Sequence, residues 1–203
     1  MRPRVVLFDI DGTLVDCGGA GRRAMERAFV DRVARADVLS FAFGGMTDRA
    51  IARQGLAEAG TAPDERAIDA LLERYLAHLG PELARAEGFR VLPGVTAVLA
   101  ALEAPAKTGA VAVGLGTGNV AAGAELKLAR GGLGGRFGFG GFGCDAEDRA
   151  ALLRRGAERG AARLGRPVDS VEVVVVGDTP RDVHAAHAIG ARMVAVSTGR
   201  FAA

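Results

Sequence analysis

Lysine is nearly missing from this chain. Of 26 Lys plus Arg residues only two are lysine, Lys107 and Lys127. Where either cation would serve, arginine has been taken, so a lysine marks a place where a compact point charge is wanted. Cysteine is scarce too. Cys17 and Cys144 are too few for a disulfide framework or a zinc site, and both are read as small, incidental residues. The three histidines, His78, His184 and His187, are scattered without a metal-ligand pattern and are read as surface or packing residues. No apolar run reaches the length of a bilayer span, and the N-terminus enters a strand pattern at once, without a signal-peptide pattern. No membrane partner and a cytoplasmic location are therefore expected. The net charge of +2 is too small to imply nucleic acid as a partner.

What is present is a globular composition. The 203 residues are 49% hydrophobic and 25% charged, enough for one sizeable core or one core with a small second unit. Val5 to Phe8 is a short apolar run that reads as a buried parallel strand. It ends in Asp9-Ile10-Asp11-Gly12-Thr13, a turn composition. From about Gly21 to Glu87 the periodicity is helical, broken at Phe43 to Gly45, at Gly60 to Pro63 and at Gly80-Pro81. Three or four helices and no comparable strand are expected there. After Pro93 strands and helices alternate: helix over 94–104, strand over 111–115, helix over 120–130, a short strand between turns within 131–143, helix over 148–164, strand over 171–176, a helix from about Pro180, and a last strand over 192–196.

Such alternation predicts an α/β fold with a doubly wound, mainly parallel sheet. The helical block is then an insertion, an α-helical cap above the carboxyl edge of the sheet. The expected division is residues 1–15 and 89–203 for the catalytic core and 16–88 for the cap.

Three predicted strands end in polar residues: Asp9 and Asp11, then Thr117 and Asn119, then Asp178 with Asp182 four positions on. In open α/β sheets ligands bind outside these carboxyl ends. Alternate residues of an extended segment point the same way, so Asp9 and Asp11 are expected as near neighbours. Two such carboxyls resist joint ionisation, which suits an ionised nucleophile beside a proton donor. Asp9, at the strand end, is the better placed for in-line attack on phosphorus, and Asp11 for protonating the leaving oxygen and then activating water. A carboxylate attacking a phosphate needs a cation to remove the repulsion, and oxygen ligands favour Mg2+. Asp9, Asp11, Asp178 and Asp182 form the expected metal set, Asp182 acting through water or by orienting a neighbour. Thr117, with the amides of Gly118 and Asn119, is the expected phosphate cradle where a strand enters a helix. Lys127 supplies the expected positive charge, with Arg149 as the second candidate.

These residues resemble the haloacid dehalogenase superfamily, in its phosphatase branch with a helical cap, and the description nearest to the chain is phosphoglycolate phosphatase-like. Asp9-Ile10-Asp11-Gly12-Thr13 is similar to the first motif, Gly116-Thr117-Gly118-Asn119 to the second, Lys127 to the third, and Gly177 to Asp182 to the fourth, metal-binding one. The resemblance implies a magnesium-dependent phosphatase acting on a small phosphorylated metabolite through an aspartyl-phosphate, as monomer or homodimer. The second aspartate of the first motif separates the chain from dehalogenases, and the lack of a lysine in the cap separates it from phosphonate-cleaving relatives. A phosphomutase on the same scaffold and a non-enzymatic phospho-acceptor module are the alternatives. Gly114-x-Gly116-x-Gly118 also follows a strand, but the acidic residue that a dinucleotide site wants some 20 positions on is missing. Arg22, Arg23, Thr47, Asp48 and Arg49 lie near breaks in the cap region, as either readers of the substrate's far end or solvated surface.

Overall fold

The computed structural model describes residues 2–35 and 37–199. Five strands form one sheet in the order β5-β4-β1-β6-β7: β1 Arg4–Phe8, β4 Val111–Gly116, β5 Gly140–Gly141, β6 Glu172–Gly177 and β7 Arg192–Ala195. Every neighbouring pair is parallel. The apolar runs of β1 and β6 suit strands covered on both faces. Helices α4 (Val95–Lys107), α5 (Ala121–Arg130), α6 (Arg149–Arg163) and α7 (Pro180–Ala188) make the crossovers, so the expected α/β doubly wound sheet is what the chain builds.

The segment between β1 and α4 departs from the sheet through β2 (Val15–Cys17) and returns through β3 (Phe89–Val91). These two short strands, not foreseen from the sequence, pair antiparallel with Val15 opposite Val91 and Cys17 opposite Phe89. Exit and return are thereby tied at one place. Between them lie α1 (Ala20–Val33), a 3-10 turn (Asp37–Leu39), α2 (Asp48–Glu58) and α3 (Glu65–Ala84), with no strand among the described residues.

Two of the three expected helix breaks occur. The third does not: α3 runs through Gly80-Pro81 to Ala84. A proline disfavours helical geometry in the residue before it largely through that residue's Cβ and N–H. Gly80 has no Cβ, which lifts much of that restriction, and the helix ends at Ala84, soon after Pro81.

Packing follows the two sheet faces. On one, Val5, Leu7, Leu152, Leu153 and Val175 are closed over by α6 and α7. On the other, Val6, Phe8 and Leu115 belong to a cluster that continues without interruption into Met25, Phe29, Leu71 and Tyr75 of the inserted helices. Among the described residues no helix is long and apolar enough to cross a membrane.

Candidate active site

The register explains why three distant motifs meet. β4, β1 and β6 are adjacent, and Phe8 lies opposite both Leu115 and Val176. Asp9 is the next residue of the central strand, its N–H donating to the Val176 carbonyl at 2.9 Å. Thr117 and Asp178 leave the neighbouring strands just beyond it. With strands about 4.8 Å apart, the side chains at these ends share one space. Carboxylate oxygens of Asp9, Asp178 and Asp182 lie within 4.8 Å of one another.

The chain after Asp9 folds back tightly. Gly12 has φ +83°, and a Cβ there would overlap the Asp178 carboxylate, so glycine is required both by backbone and by space. Thr13 Oγ1 donates to Asp178 Oδ1 at 3.2 Å. Asp182 is fully buried. Its Oδ2 accepts from the Thr179 N–H (3.0 Å) and hydroxyl (2.7 Å), closing a capping box at the start of α7. Its Oδ1 accepts from Arg149 Nε at 2.7 Å. Asp182 thus closes the start of α7 and also faces the cluster.

Arg149 is the first residue of α6 and is 8% exposed. Its Nη2 lies 3.1 Å from Asp9 Oδ2 and 2.5 Å from Asp182 Oδ1, and its Nη1 donates to the Gly45 carbonyl at 3.3 Å. Lys127, on the inner face of α5, is 4% exposed and reaches Asp11 Oδ2 at 2.6 Å and Asn119 Oδ1 at 2.5 Å. Both candidate cations are in the site. It is Arg149 that pairs with Asp9, and Lys127 that pairs with Asp11.

This partition sets the charge states. Burial pushes the Asp9 carboxyl up to about 7, Arg149 pulling it back and Asp182 and Asp11 adding to the rise. Burial acts against ionised Asp11 as well, but Lys127 and Asn119 outweigh it and hold its carboxyl below the usual range. With the chain's own charges alone, the pair is therefore split in the reverse of the expected sense: Asp9 holds its proton more tightly than Asp11. Asp178 is pushed up to about 6, by burial first and then by Asp182. Three carboxylates face one guanidinium, and the donors are all hard oxygens. That set fits a divalent cation of the Mg2+ type. The Asp11 carboxylate is turned away toward Lys127 and stands outside the three-carboxylate group.

Thr117 is completely buried. Its Oγ1 accepts from the Asn119 N–H (3.3 Å) and from Asn119 Nδ2 (2.8 Å), which leaves its own proton free to donate. The Asn119 amide, expected to face phosphate, is turned to Thr117 instead. Asn119 Nδ2 also donates to Asp11 Oδ2 at 2.9 Å.

Asp9, Asp11, Thr117, Asn119, Lys127, Arg149 and Asp178 line one cavity of about 560 Å3, roofed by Arg22, Met25, Ile51 and Tyr75 of the inserted helices. A cavity of about 670 Å3 lies at the opposite, amino-terminal ends of β6 and β7. It is bordered by ordinary ion pairs such as Arg192–Glu172 and by none of the strand-end groups. Of the cap residues singled out in the sequence, Arg22 donates to the Leu39 and Phe41 carbonyls and stacks on Phe43 at 3.9 Å. Arg23 pairs with Glu82, Thr47 caps α2, and Arg49 pairs with Asp69 and Glu65. His184 and His187 are exposed on α7, and His78 pairs with Asp31. Sequence reasoning passed over Thr13, Thr179 and Tyr75. The first two stand inside the quoted motifs. For Tyr75, buried on α3, no local signal exists.

The haloacid dehalogenase-like hydrolase family matches residues 3–190 of the chain. Phosphoglycolate phosphatase of Rhodospirillum rubrum is 30% identical over 209 aligned positions, covering 97% of this chain and 80% of that protein. Among solved structures, CbbY from Rhodobacter sphaeroides in complex with phosphate superposes with a TM-score of 0.69 at 18% identity, over 100% of this chain and 90% of that one. A predicted phosphoglycolate phosphatase from Haemophilus somnus gives 0.67 at 19% identity, over 98% and 87%. The chain belongs to the haloacid dehalogenase-like hydrolase family, in its phosphatase branch.

Proposed function

We propose that this enzyme is a magnesium-dependent phosphatase for a small phosphorylated metabolite, working through an aspartyl-phosphate on Asp9. The observation that carries this reading is the convergence of Asp9, Asp178 and Asp182 beside Arg149 at the ends of adjacent strands. Asp9, Asp178 and Asp182 would hold the cation, while the Asp11 carboxylate is held toward Lys127 beside them. Bound there, the ion offsets the repulsion between the Asp9 carboxylate and the phosphate and favours the ionised nucleophile.

The residues then divide the work. Thr117 Oγ1, the Gly118 amide, Lys127 and Arg149 bind the phosphoryl oxygens. Asp9 Oδ attacks phosphorus, the ester P–O bond breaks, and Asp11 gives its proton to the leaving oxygen. Water then attacks the phosphorus of the acyl phosphate, Asp11 takes the proton back, and the Asp9 carboxylate is regenerated as inorganic phosphate leaves. Lys127 couples binding to this proton transfer. An arriving phosphate competes for its ammonium and adds negative charge beside Asp11, and both effects raise the affinity of Asp11 for a proton.

Residues 16–88 serve in this reading as the cap that closes the cavity from water. Its volume of about 560 Å3 suits a ligand of metabolite size. Phosphoglycolate, named for the Rhodospirillum relative, is the first substrate to try. Phosphate release from an aryl phosphate and from phosphoglycolate tests the reading. Turnover is expected with Mg2+ and lost with chelator. Asp9→Asn should fall by at least ~1000-fold and Asp11→Asn by ~100-fold or more. Wild-type turnover in Asp9→Asn removes the nucleophile, and a stable phosphoprotein without turnover favours a phospho-acceptor module.

A further inference from the structure

We propose that Asp48 is a positioning residue for Asp11: it clips the start of α2 to the Thr117–Val120 loop and so holds Asn119 against the Asp11 carboxylate. The proposal rests on the phosphatase reading above and adds to it a residue from the inserted helices.

Asp48 follows Thr47, the N-cap of α2. An acid in the first turn ordinarily complements the dipole of its own helix from the solvent side. Here it is 7% exposed and points away from α2. Its Oδ2 accepts the Val120 N–H at 2.9 Å, 72 residues along the chain. Its own N–H donates to the Gly118 carbonyl at 2.8 Å. Helix α5 begins after Val120, whose own N–H is one of the unpaired donors at that helix end, and Asp48 satisfies it from another element.

The two bonds straddle Asn119. That residue's side chain is the junction of the acid/base half of the site, bonded to Asp11, Thr117 and Lys127. A rigid 118–120 backbone therefore means a fixed Asp11. The glycines show how close the clip is. A Cβ on Gly118 would come within 2.5 Å of the Met46 carbonyl oxygen, and one on Gly143 would overlap the Gly118 carbonyl. Neither glycine has a positive φ, so contact, not backbone conformation, is what excludes a side chain at each.

The test compares Asp48→Asn, which keeps an oxygen for the Val120 N–H, with Asp48→Ala, which does not. Asp48→Ser, polar but too short to reach, is the second variant in case Asp48→Ala does not fold. On an aryl phosphate with Mg2+, kcat of the Ala or Ser variant should drop by about 10- to 100-fold with KM within about 3-fold, since a small misplacement of a catalytic group costs rate. Asp48→Asn should stay within about 3-fold of wild type. Amide hydrogen exchange over residues 117–123 should speed up in the Ala or Ser variant alone, with distant segments unchanged. Wild-type kcat in the Ala and Ser variants, or an Asn variant as impaired as they are, overturns the proposal. A wild-type protein without turnover overturns the phosphatase reading instead. The clip is then judged by exchange, and unchanged exchange in the Ala or Ser variant rejects it.

Discussion

Single residues in this site are defined by which opposite charge they meet. Asp9 and Asp11 are chemically identical and two positions apart, yet one carboxyl is raised to about 7 and the other held low. The difference is the partner: Lys127 bonds Asp11 directly, while Arg149 divides its charge between Asp9 and Asp182. The motifs made the acidic residues legible in the sequence. They did not tell Lys127 from Arg149, because both lie on helices near the right strand ends, and only distances in space separate their roles. Asp48 was legible only as a cap-region residue for the same reason. Burial pushes its carboxyl up to about 6, Lys127 pulling the other way. A carboxyl raised on folding binds its proton more tightly in the native state. Its contribution to stability therefore falls as pH rises from the unfolded value near 3.8 to about 6, by at most about 1.4 kcal/mol per pH unit. Asp48→Asn lacks this penalty and keeps the acceptor. Its stability advantage over wild type should grow between pH 4 and pH 6 and level off above, as read from urea midpoints across that range.

Elements are set by the space between them as much as by propensity. The helix α6 approaches β1, β4 and β5 very closely, and small residues permit it. A Cβ on Gly160 would meet the Val5 and Phe139 side chains, and one on Gly156 would come within 3.0 Å of the Gly141 backbone nitrogen. In sequence these glycines read only as weak spots of a helix. In the fold they set the depth at which Arg149, at the head of the same helix, enters the site. Gly160→Ala should therefore destabilise the protein by about 1–3 kcal/mol through overpacking, against the usual gain of replacing a helical glycine. Chemical denaturation measures this directly. The strands β2 and β3 were missed because three residues each leave too short a pattern to register. The run through Gly80-Pro81 was missed because two breakers in series read as a stop, although the first relieves the clash of the second.

At the scale of the whole molecule, the parallel sheet brings Asp9 to the sequence-distant Asp178 and Asp182, and the mutual repulsion of the three is a standing cost. A divalent cation that binds the folded arrangement and not the unfolded chain stabilises the former by mass action, about 2.7 kcal/mol at a hundred times its dissociation constant. Mg2+ should accordingly raise Tm by several degrees. Asp178→Asn should abolish the shift while leaving the fold intact, as thermal melts with and without Mg2+ will report. A shift that persists in the variant would place the ion elsewhere. The inserted helices share one apolar cluster with a sheet face, Phe8 and Leu115 continuing into Phe29 and Tyr75, so their seating and the shape of the cavity are set by one core.

The amino-acid order by itself determined the alternation of strands and helices and the acidic and hydroxyl residues at three strand ends. Those are local matters, carried by periodicity, turn composition and spacing within a few residues. Only the tertiary structure decided which cation faces which aspartate, that Asp48 holds the Val120 N–H rather than facing solvent, and that the Asn119 amide is spent on Thr117. Those outcomes depend on gaps of a few ångströms between segments tens of residues apart, and no local pattern encodes such a distance.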